Sequence, residues 1–250
     1  MKIKKIFLII LALFIISLSS VNTLAYGFGY SKNSNHEQPH IGKYLNEIKD
    51  TDSYYVGNKK DKIVYLTFDA GYDNGVLDGI LNVLKEKDVK STFFVTGDFL
   101  ERNSDLLKRI VNENHIIGNH TYNHKNITKI SKLELINEIS MFENKYTEII
   151  GSNPIKFFRP PEGEFNKESL MNVKELGYKT FFWSIAYVDW NTNKQKGMEY
   201  AYNSVMNNIH NGAIILMHTV SKDNLMALPK IIDDLRSNGY IIKNLNEFSL

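Results

Sequence analysis

Two histidines stand four positions apart in the chain, at His120 and His124. One helical turn or a compact loop would point both imidazoles at a single ion. The sequence has seven histidines and no cysteine, so a metal site in this protein must rest on histidines and carboxylates. The pair therefore indicates a metal centre, although paired surface histidines also occur at this spacing without a function.

Four other ionisable residues each follow a short apolar run, and they are Asp69, Arg159, Asp189 and His218. Carboxylates and imidazoles act as general acids and bases, and the stiff Arg-Pro-Pro turn could aim a backbone N–H at an oxyanion. Each residue also has a purely structural interpretation. Asp69 could be a turn-forming Asp, Arg159 part of a rigid surface turn, Asp189 a loop Asp beside a packed Trp, and His218 a satisfied core histidine.

All of these residues stand at or just beyond the C-terminal end of a predicted strand. Seven short β-rich runs alternate with helical patterns, at residues 63–68, 92–95, 116–117, 155–158, 180–183, 213–217 and 240–242. This alternation predicts a parallel sheet, and no glycine-rich nucleotide fingerprint follows the first run. We therefore predict a distorted α/β barrel of the (β/α)7 type, whose strand ends share one rim where an active site can form.

Apolar residues at helical spacing predict five helices between the strands, near residues 77–84, 106–111, 131–150, 170–176 and 225–235. The third of these helices has the clearest limits. It begins with a capping-box pattern from Ser131 to Glu134 and ends at Gly151.

The composition fits one globular domain. Of the 250 residues 43% are apolar and 12% aromatic, which is enough for a single large core between residues 61 and 250. The net charge is only +2 and the basic residues are spread along the chain, which argues against a nucleic-acid partner. We expect the domain to be a monomer.

The first 60 residues are expected to lie outside that domain. Residues 1–25 combine early lysines, an apolar stretch from Ile6 to Leu18 and small residues before Ala25, a pattern typical of an export signal. Cleavage after Ala25 and an uncleaved membrane anchor are both consistent with this pattern. Residues 26–60 are polar and aperiodic, which predicts a linker with little structure. The domain would then work outside the cytoplasm, either secreted or anchored.

Five segments resemble, in order, the motifs of the polysaccharide deacetylase (NodB-like) family. They are residues 67–71, 120–124, 159–163, 189–190 and 216–218, and the resemblance extends from about Ile63 to Phe248. Residues 69–72, 186–190 and 218–224 look most like the delta-lactam-biosynthetic de-N-acetylases of spore-forming bacteria. That group acts on muramic acid in the peptidoglycan of the spore cortex.

The resemblance implies a hydrolase that removes the acetyl group of muramic acid, after which the freed amine closes on the lactyl carboxyl group. It implies that His120 and His124 hold a divalent metal, zinc, and that Asp69 is the general base, kept ionised by Arg159. It also implies that His218 is the general acid and that Asp189 orients it and favours its charged form.

The resemblance further implies a set of substrate contacts. The backbone N–H of Glu162 would stabilise the oxyanion, and Trp190 and Leu216 would form the walls of the pocket for the acetyl methyl group. The implied partner is a peptidoglycan glycan strand, with no nucleic acid. Contact with a membrane is expected only through an uncleaved N-terminal segment.

The sequence departs from the family pattern at three positions, and it leaves other functions open. The second Asp of the first motif, a metal ligand in the family, is Ala70 here, which predicts weaker metal retention. The first Asp of the fourth motif is Ala186, and Glu162 replaces an aromatic residue. The alternatives are a peptidoglycan or chitin-type N-acetylglucosamine deacetylase, a carbohydrate-binding pseudoenzyme, and a non-haem iron oxygenase with two histidines and a carboxylate.

Overall fold

The computed structural model describes residues 24–32 and 35–250. Its strands are β1 Tyr26–Gly27, β2 Ser53–Tyr54, β3 Ile63–Ala70, β4 Thr92–Val95, β5 Ile116–Asn119, β6 Phe157–Phe158, β7 Glu164–Phe165, β8 Lys179–Phe181, β9 Ala213–His218 and β10 Ile241–Lys243. All seven predicted strands are present. The additional strands β1, β2 and β7 have two residues each, too short to produce an alternating pattern in the sequence.

The helices of the described part are α1 Tyr44–Ile48, α2 Leu77–Glu86, α3 Gly97–Arg102, α4 Ser104–Asn112, α5 Lys132–Ile150, α6 Lys167–Glu175, α7 Met198–Met206 and α8 Lys222–Ser237. The limits predicted for the longest helix are confirmed. The Ser131 hydroxyl accepts a hydrogen bond from the backbone N–H of Glu134 at 3.2 Å, and Gly151 ends α5 with a left-handed φ of 82°.

A curled parallel sheet forms the centre of the molecule. Its strand order is β10-β3-β4-β5-β6-β8-β2, and β9 pairs with β3 in parallel from Val64–Ala213 to Asp69–His218. A parallel bridge between Ile185 and Ile215 connects the chain after β8 to β9, so that the sheet curls back on itself. The predicted (β/α)7-type barrel is confirmed, and the C-terminal ends of its strands meet at one mouth.

Strand β3 positions the first site residue by the alternation of its side chains. The residues on one face belong to the main apolar cluster, which the helices cover, and they are Val64, Leu66, Phe68 and Ala70. On the other face, Tyr65 belongs to a cluster inside the barrel, while Thr67 and Asp69 both contact the same buried arginine. Asp69 therefore points into the barrel mouth, because it lies on the same face of β3 as Tyr65 and Thr67.

The structure corrects the predicted linker, because much of residues 26–60 packs onto the barrel. β1 pairs with β7 through Tyr26 and Phe165, and β2 extends the main sheet beside β8. Phe28 is 8% exposed and stacks on Phe182 with ring centroids 4.3 Å apart. Glycine and polar residues separate these aromatic side chains in the sequence, so their burial leaves no periodic signal.

Replacing Phe28 with Ala should lower the free energy of unfolding by about 3 kcal/mol, because it removes a buried aromatic ring from the cluster. Urea unfolding followed by circular dichroism measures this loss. Leu45 lies in the same segment but is 59% exposed, so Leu45→Ala is a matched control with little expected effect. Equal stability of the two variants would mean that the segment is a linker after all.

The predicted export signal or anchor at residues 1–25 lies outside the described residues, except for Leu24 and Ala25. Across residues 24–32 and 35–250, no helix is both long enough and apolar enough to cross a membrane.

Candidate active site

A groove of about 1240 Å³ lies at the barrel mouth, where the C-terminal ends of the strands converge. Seven of the nine predicted site residues line it: Asp69, His120, His124, Glu162, Trp190, Leu216 and His218. The other two, Arg159 and Asp189, do not line the groove, but Arg159 contacts Asp69 and His120, and Asp189 contacts His218. These two were predicted as catalytic, and their position behind the groove makes them positioning residues.

Arg159 supports Asp69 from inside the barrel. Its side chain is fully buried, and its NH1 donates to Asp69 Oδ1 at 2.7 Å. The other nitrogens donate to the Phe181 carbonyl at 2.9 Å and to the Thr67 hydroxyl at 3.0 Å, and the guanidinium lies over the Phe94 ring. Because these donors are satisfied, the buried charge is held in one orientation.

Asp69 remains a carboxylate although it is buried. Burial raises the pKa of Asp69, but the charge of Arg159, followed by those of His120 and His218, lowers it more strongly. The pKa therefore lies below its ordinary value, and the side chain is ionised near neutral pH. An ionised carboxylate at the edge of a groove can accept a proton.

His120 and His124 lie on the loop after β5, which is compact and not a helical turn. Their ring centroids are 5.0 Å apart, and His120 Nε2 lies 3.7 Å from Asp69 Oδ2. The backbone is left-handed at Thr121, with φ 62°, and at His124, with φ 53°. This conformation is costly for non-glycine residues, so other contacts must hold the loop.

Both imidazoles are in the protonation state that metal binding requires. Burial lowers the pKa of His120 to about 4, and it also lowers the pKa of His124. The backbone carbonyl of Arg159 lies 2.8 Å from His120 Nδ1, which places the proton on Nδ1 and leaves the lone pair of Nε2 free to face Asp69. Neutral imidazole nitrogens at this spacing fit a divalent ion in the chemistry of their donors.

Beyond these two histidines, the structure offers few further metal ligands. Within the described residues, no group of three or more His, Cys, Asp or Glu side chains is arranged to hold a metal ion. Ala70, at the position of a family ligand, is fully buried in the main apolar cluster. The two histidines are therefore the residues here that could hold a divalent ion, and Asp69 is the carboxylate next to His120.

His218 and Asp189 form the second half of the site. Asp189 Oδ1 lies 2.7 Å from His218 Nδ1, and Asp189 Oδ2 accepts from the backbone N–H of His218 at 2.8 Å. Burial lowers the pKa of His218, but the charge of Asp189 and its hydrogen bond outweigh that effect, so the pKa lies above its ordinary value. Since β9 pairs Asp69 with His218, the carboxylate and the imidazole stand on neighbouring strands.

Three supporting residues were missed by the sequence analysis. Glu138 is 2% exposed and accepts from the backbone N–H of Asn123 at 2.7 Å, which holds the histidine loop. Asn224 donates to Asp189 Oδ2 at 2.6 Å, and the Tyr30 hydroxyl accepts from the backbone N–H of Ala186 at 2.8 Å. Only Glu138 left a signal, since it is a charged residue within the apolar face of a predicted helix.

The predicted substrate contacts surround this centre. Glu162 lies in the turn after Arg-Pro-Pro, with a left-handed φ of 58°, and its side chain is exposed. Trp190 is 57% exposed at the rim, whereas Leu216 is 6% exposed deeper in the groove. An exposed ring above an apolar floor suits a sugar with a small acyl group.

Comparison with known proteins finds clear relatives. The polysaccharide deacetylase family matches residues 56–181. The chain is 43% identical to peptidoglycan-N-acetylmuramic acid deacetylase PdaA of Bacillus subtilis, over 88% of this chain and 84% of that protein. It is 38% identical to a peptidoglycan-N-acetylglucosamine deacetylase of Bacillus cereus, over 70% of this chain and 64% of that protein. The structure of Bacillus subtilis PdaA, a family 4 carbohydrate esterase, matches with a TM-score of 0.87 at 42% identity, covering 90% of this chain and 96% of that one.

Proposed function

The chain belongs to the polysaccharide deacetylase family, and from this premise we propose that it removes the acetyl group from N-acetylmuramic acid residues of peptidoglycan. The observation that carries the proposal is one groove that combines Asp69, whose pKa is lowered, two histidines whose pKa values are lowered by burial, and His218, whose pKa is raised. The 43% identity with PdaA of Bacillus subtilis supports muramic acid as the substrate.

The first step is the attack of water on the acetamide carbonyl. Asp69, kept ionised by Arg159, accepts the proton of that water as general base. A divalent ion, which we infer to be zinc, would be held by His120 and His124, polarising the carbonyl and acidifying the water. The backbone N–H of Glu162 donates to the developing oxyanion from a turn that two prolines stiffen.

The second step is the departure of the sugar amine. His218 donates its Nε2 proton to the amine, while Asp189 holds the opposite ring nitrogen and the charge of the imidazolium. Trp190 and Leu216 border the space for the acetyl methyl group. The freed amine then attacks the lactyl carboxyl group of the same sugar and forms the lactam with release of one water, a step favoured by proximity.

Mass analysis of muropeptides tests the proposal. Stem-peptide-free muramyl glycan treated with the protein should lose an acetyl group, and the loss of one water would then report ring closure. A mass change confined to glucosamine residues would contradict the proposal. It would favour the second candidate, an N-acetylglucosamine deacetylase, which the 38% identity with the Bacillus cereus enzyme supports.

Ala70→Asp tests the placement of the metal. The new carboxylate would be buried in an apolar cluster, so we expect the variant to unfold at a lower temperature than the wild type without metal. If the carboxylate completes the ligand set, added zinc should raise the melting temperature of the variant by several degrees more than that of the wild type. Ala70→Ser is the control with the smaller change. Equal zinc effects in Ala70→Asp and the wild type would contradict a metal site beside residue 70.

We infer that the protein works outside the cytoplasm as a monomer on peptidoglycan glycan strands, since its substrate lies in the cell wall. An association with spores follows from the likeness of residues 69–72, 186–190 and 218–224 to the spore-cortex group. Detection of the mature protein in the cell-wall fraction, with or without residues 1–25, tests export and decides between a cleaved signal and a retained anchor.

A further inference from the structure

One wall of the groove comes from a segment that precedes the family match at residues 56–181. The backbone N–H of Phe28 donates to the Gly163 carbonyl at 2.9 Å, beside the Arg-Pro-Pro turn. Two residues later, the Tyr30 hydroxyl bonds both the N–H and the carbonyl of Ala186, at 2.8 and 3.3 Å. The segment is therefore fixed at both ends of its path across the groove.

This wall carries a single cation. Lys32 is exposed, and it is the only Lys or Arg among the described residues that line the groove. It forms no ion pair with any residue that the structure describes, whereas Asp98 at the same groove pairs with Arg102 at 2.6 Å. Arg159 cannot serve a ligand because it is fully buried and bonded to Asp69. Lys32 is thus the one lysine or arginine of the described lining that a ligand in the groove can reach.

The lining of the groove also carries acidic side chains. Asp69 is ionised, and Asp98 and Glu162 add two more acidic side chains to the lining. Muramic acid differs from glucosamine by a lactyl ether on the carbon next to the acetamide, and its carboxylate is an anion held close to the reacting group. In the proposed mechanism, His218 and the metal ion at His120 and His124 act on the acetamide group, so the lactyl carboxylate needs a further cation to offset these acidic side chains.

We propose that Lys32 binds the lactyl carboxylate of muramic acid and so determines the preference of the enzyme for this sugar over N-acetylglucosamine. This inference rests on the proposed function. The chain from Tyr30 to Lys32 spans about 7 Å at most, so Lys32 stays near the residue that contacts Ala186. The flexible side chain of Lys32 can then follow the carboxylate.

The test compares acetate release from stem-peptide-free muramyl glycan, from the same glycan with its lactyl groups methyl-esterified, and from N-acetylglucosamine oligomers. In Lys32→Ala we expect kcat/KM for the free carboxylate to fall about tenfold, mainly through KM, because one charge-assisted hydrogen bond is lost. Activity on the ester should not change. Lys32→Arg should retain most of the preference, and salt should reduce the difference between wild type and Lys32→Ala.

Lys49→Ala is the matched control, since Lys49 is an exposed lysine of the same N-terminal region that does not line the groove. If the wild type prefers the muramyl glycan and Lys32→Ala keeps this preference, the role of Lys32 is overturned but the proposed function is not. A wild type that acts equally well on N-acetylglucosamine oligomers would overturn the proposed function and the role of Lys32 with it.

Discussion

Replacing Asp69 with Asn is expected to lower kcat/KM for deacetylation by about 10³-fold, because the amide cannot take a proton from the attacking water. The substitution keeps the size of the side chain, and its Oδ1 can still accept the hydrogen bond from Arg159. The loss should therefore appear in kcat more than in KM. Acetate release from muramyl glycan under substrate saturation measures it.

The same variant should also lose about 3 kcal/mol of stability, since a fully buried guanidinium is left without its counter-ion. The lowered pKa of Asp69 means that its contribution is present above the unfolded pKa of about 3.9 and is lost as the pH falls through the lower folded pKa. The stability difference between wild type and variant should thus be constant near neutral pH and shrink in strong acid.

Asp105→Asn provides a control for Asp69→Asn, because Asp105 is exposed in the first turn of α4. Its activity and stability should match those of the wild type. If Asp69→Asn were folded and kept its turnover, another group would have to take the proton of the water. An inactive Asp69→Asn protein with a native circular dichroism spectrum also distinguishes an enzyme from a carbohydrate-binding pseudoenzyme, provided that the wild type turns over.

The sequence was sufficient to predict the barrel and the convergence of the site, because both follow from strong local patterns. Buried parallel strands such as β3 and β9 are continuous apolar runs, and the polar residue that ends each run must lie at the common rim. Asp69 and His218 were located in this way. The distance between them along the chain did not matter, since parallel pairing brings their strands side by side.

The sequence was not sufficient for contacts that depend on tertiary packing. Residues 26–32 contain glycine and scattered aromatic side chains, and only the barrel surface determines that Phe28 is buried and that Tyr30 reaches Ala186. The short helices α1 and α3 have five and six residues, which is too few for a hydrophobic period to be recognised. The pairing of Arg159 with Asp69 was implied only by the family resemblance, because an Arg after a strand can face either side.

In the proposed mechanism Asp189 acts on the reaction only through His218, since it does not line the groove. It accepts from the backbone N–H and contacts Nδ1 of His218, and it also accepts from Asn224. An Asn at position 189 has one acceptor oxygen and no charge. The variant can therefore keep part of the geometry while it loses the interaction that raises the pKa of His218.

Asp189→Asn should consequently lower kcat by about 10²- to 10³-fold and move the alkaline limb of the kcat profile to lower pH. The limb moves to lower pH because His218 must be protonated to act. Once residue 189 is neutral, burial and the charge of Arg159 lower the pKa of His218, and only the charge of Asp69 opposes this decrease. Asp61→Asn, at an exposed position, should leave the profile unchanged. A lower kcat with an unmoved alkaline limb would show that Asp189 only holds the loop and does not control the proton on His218.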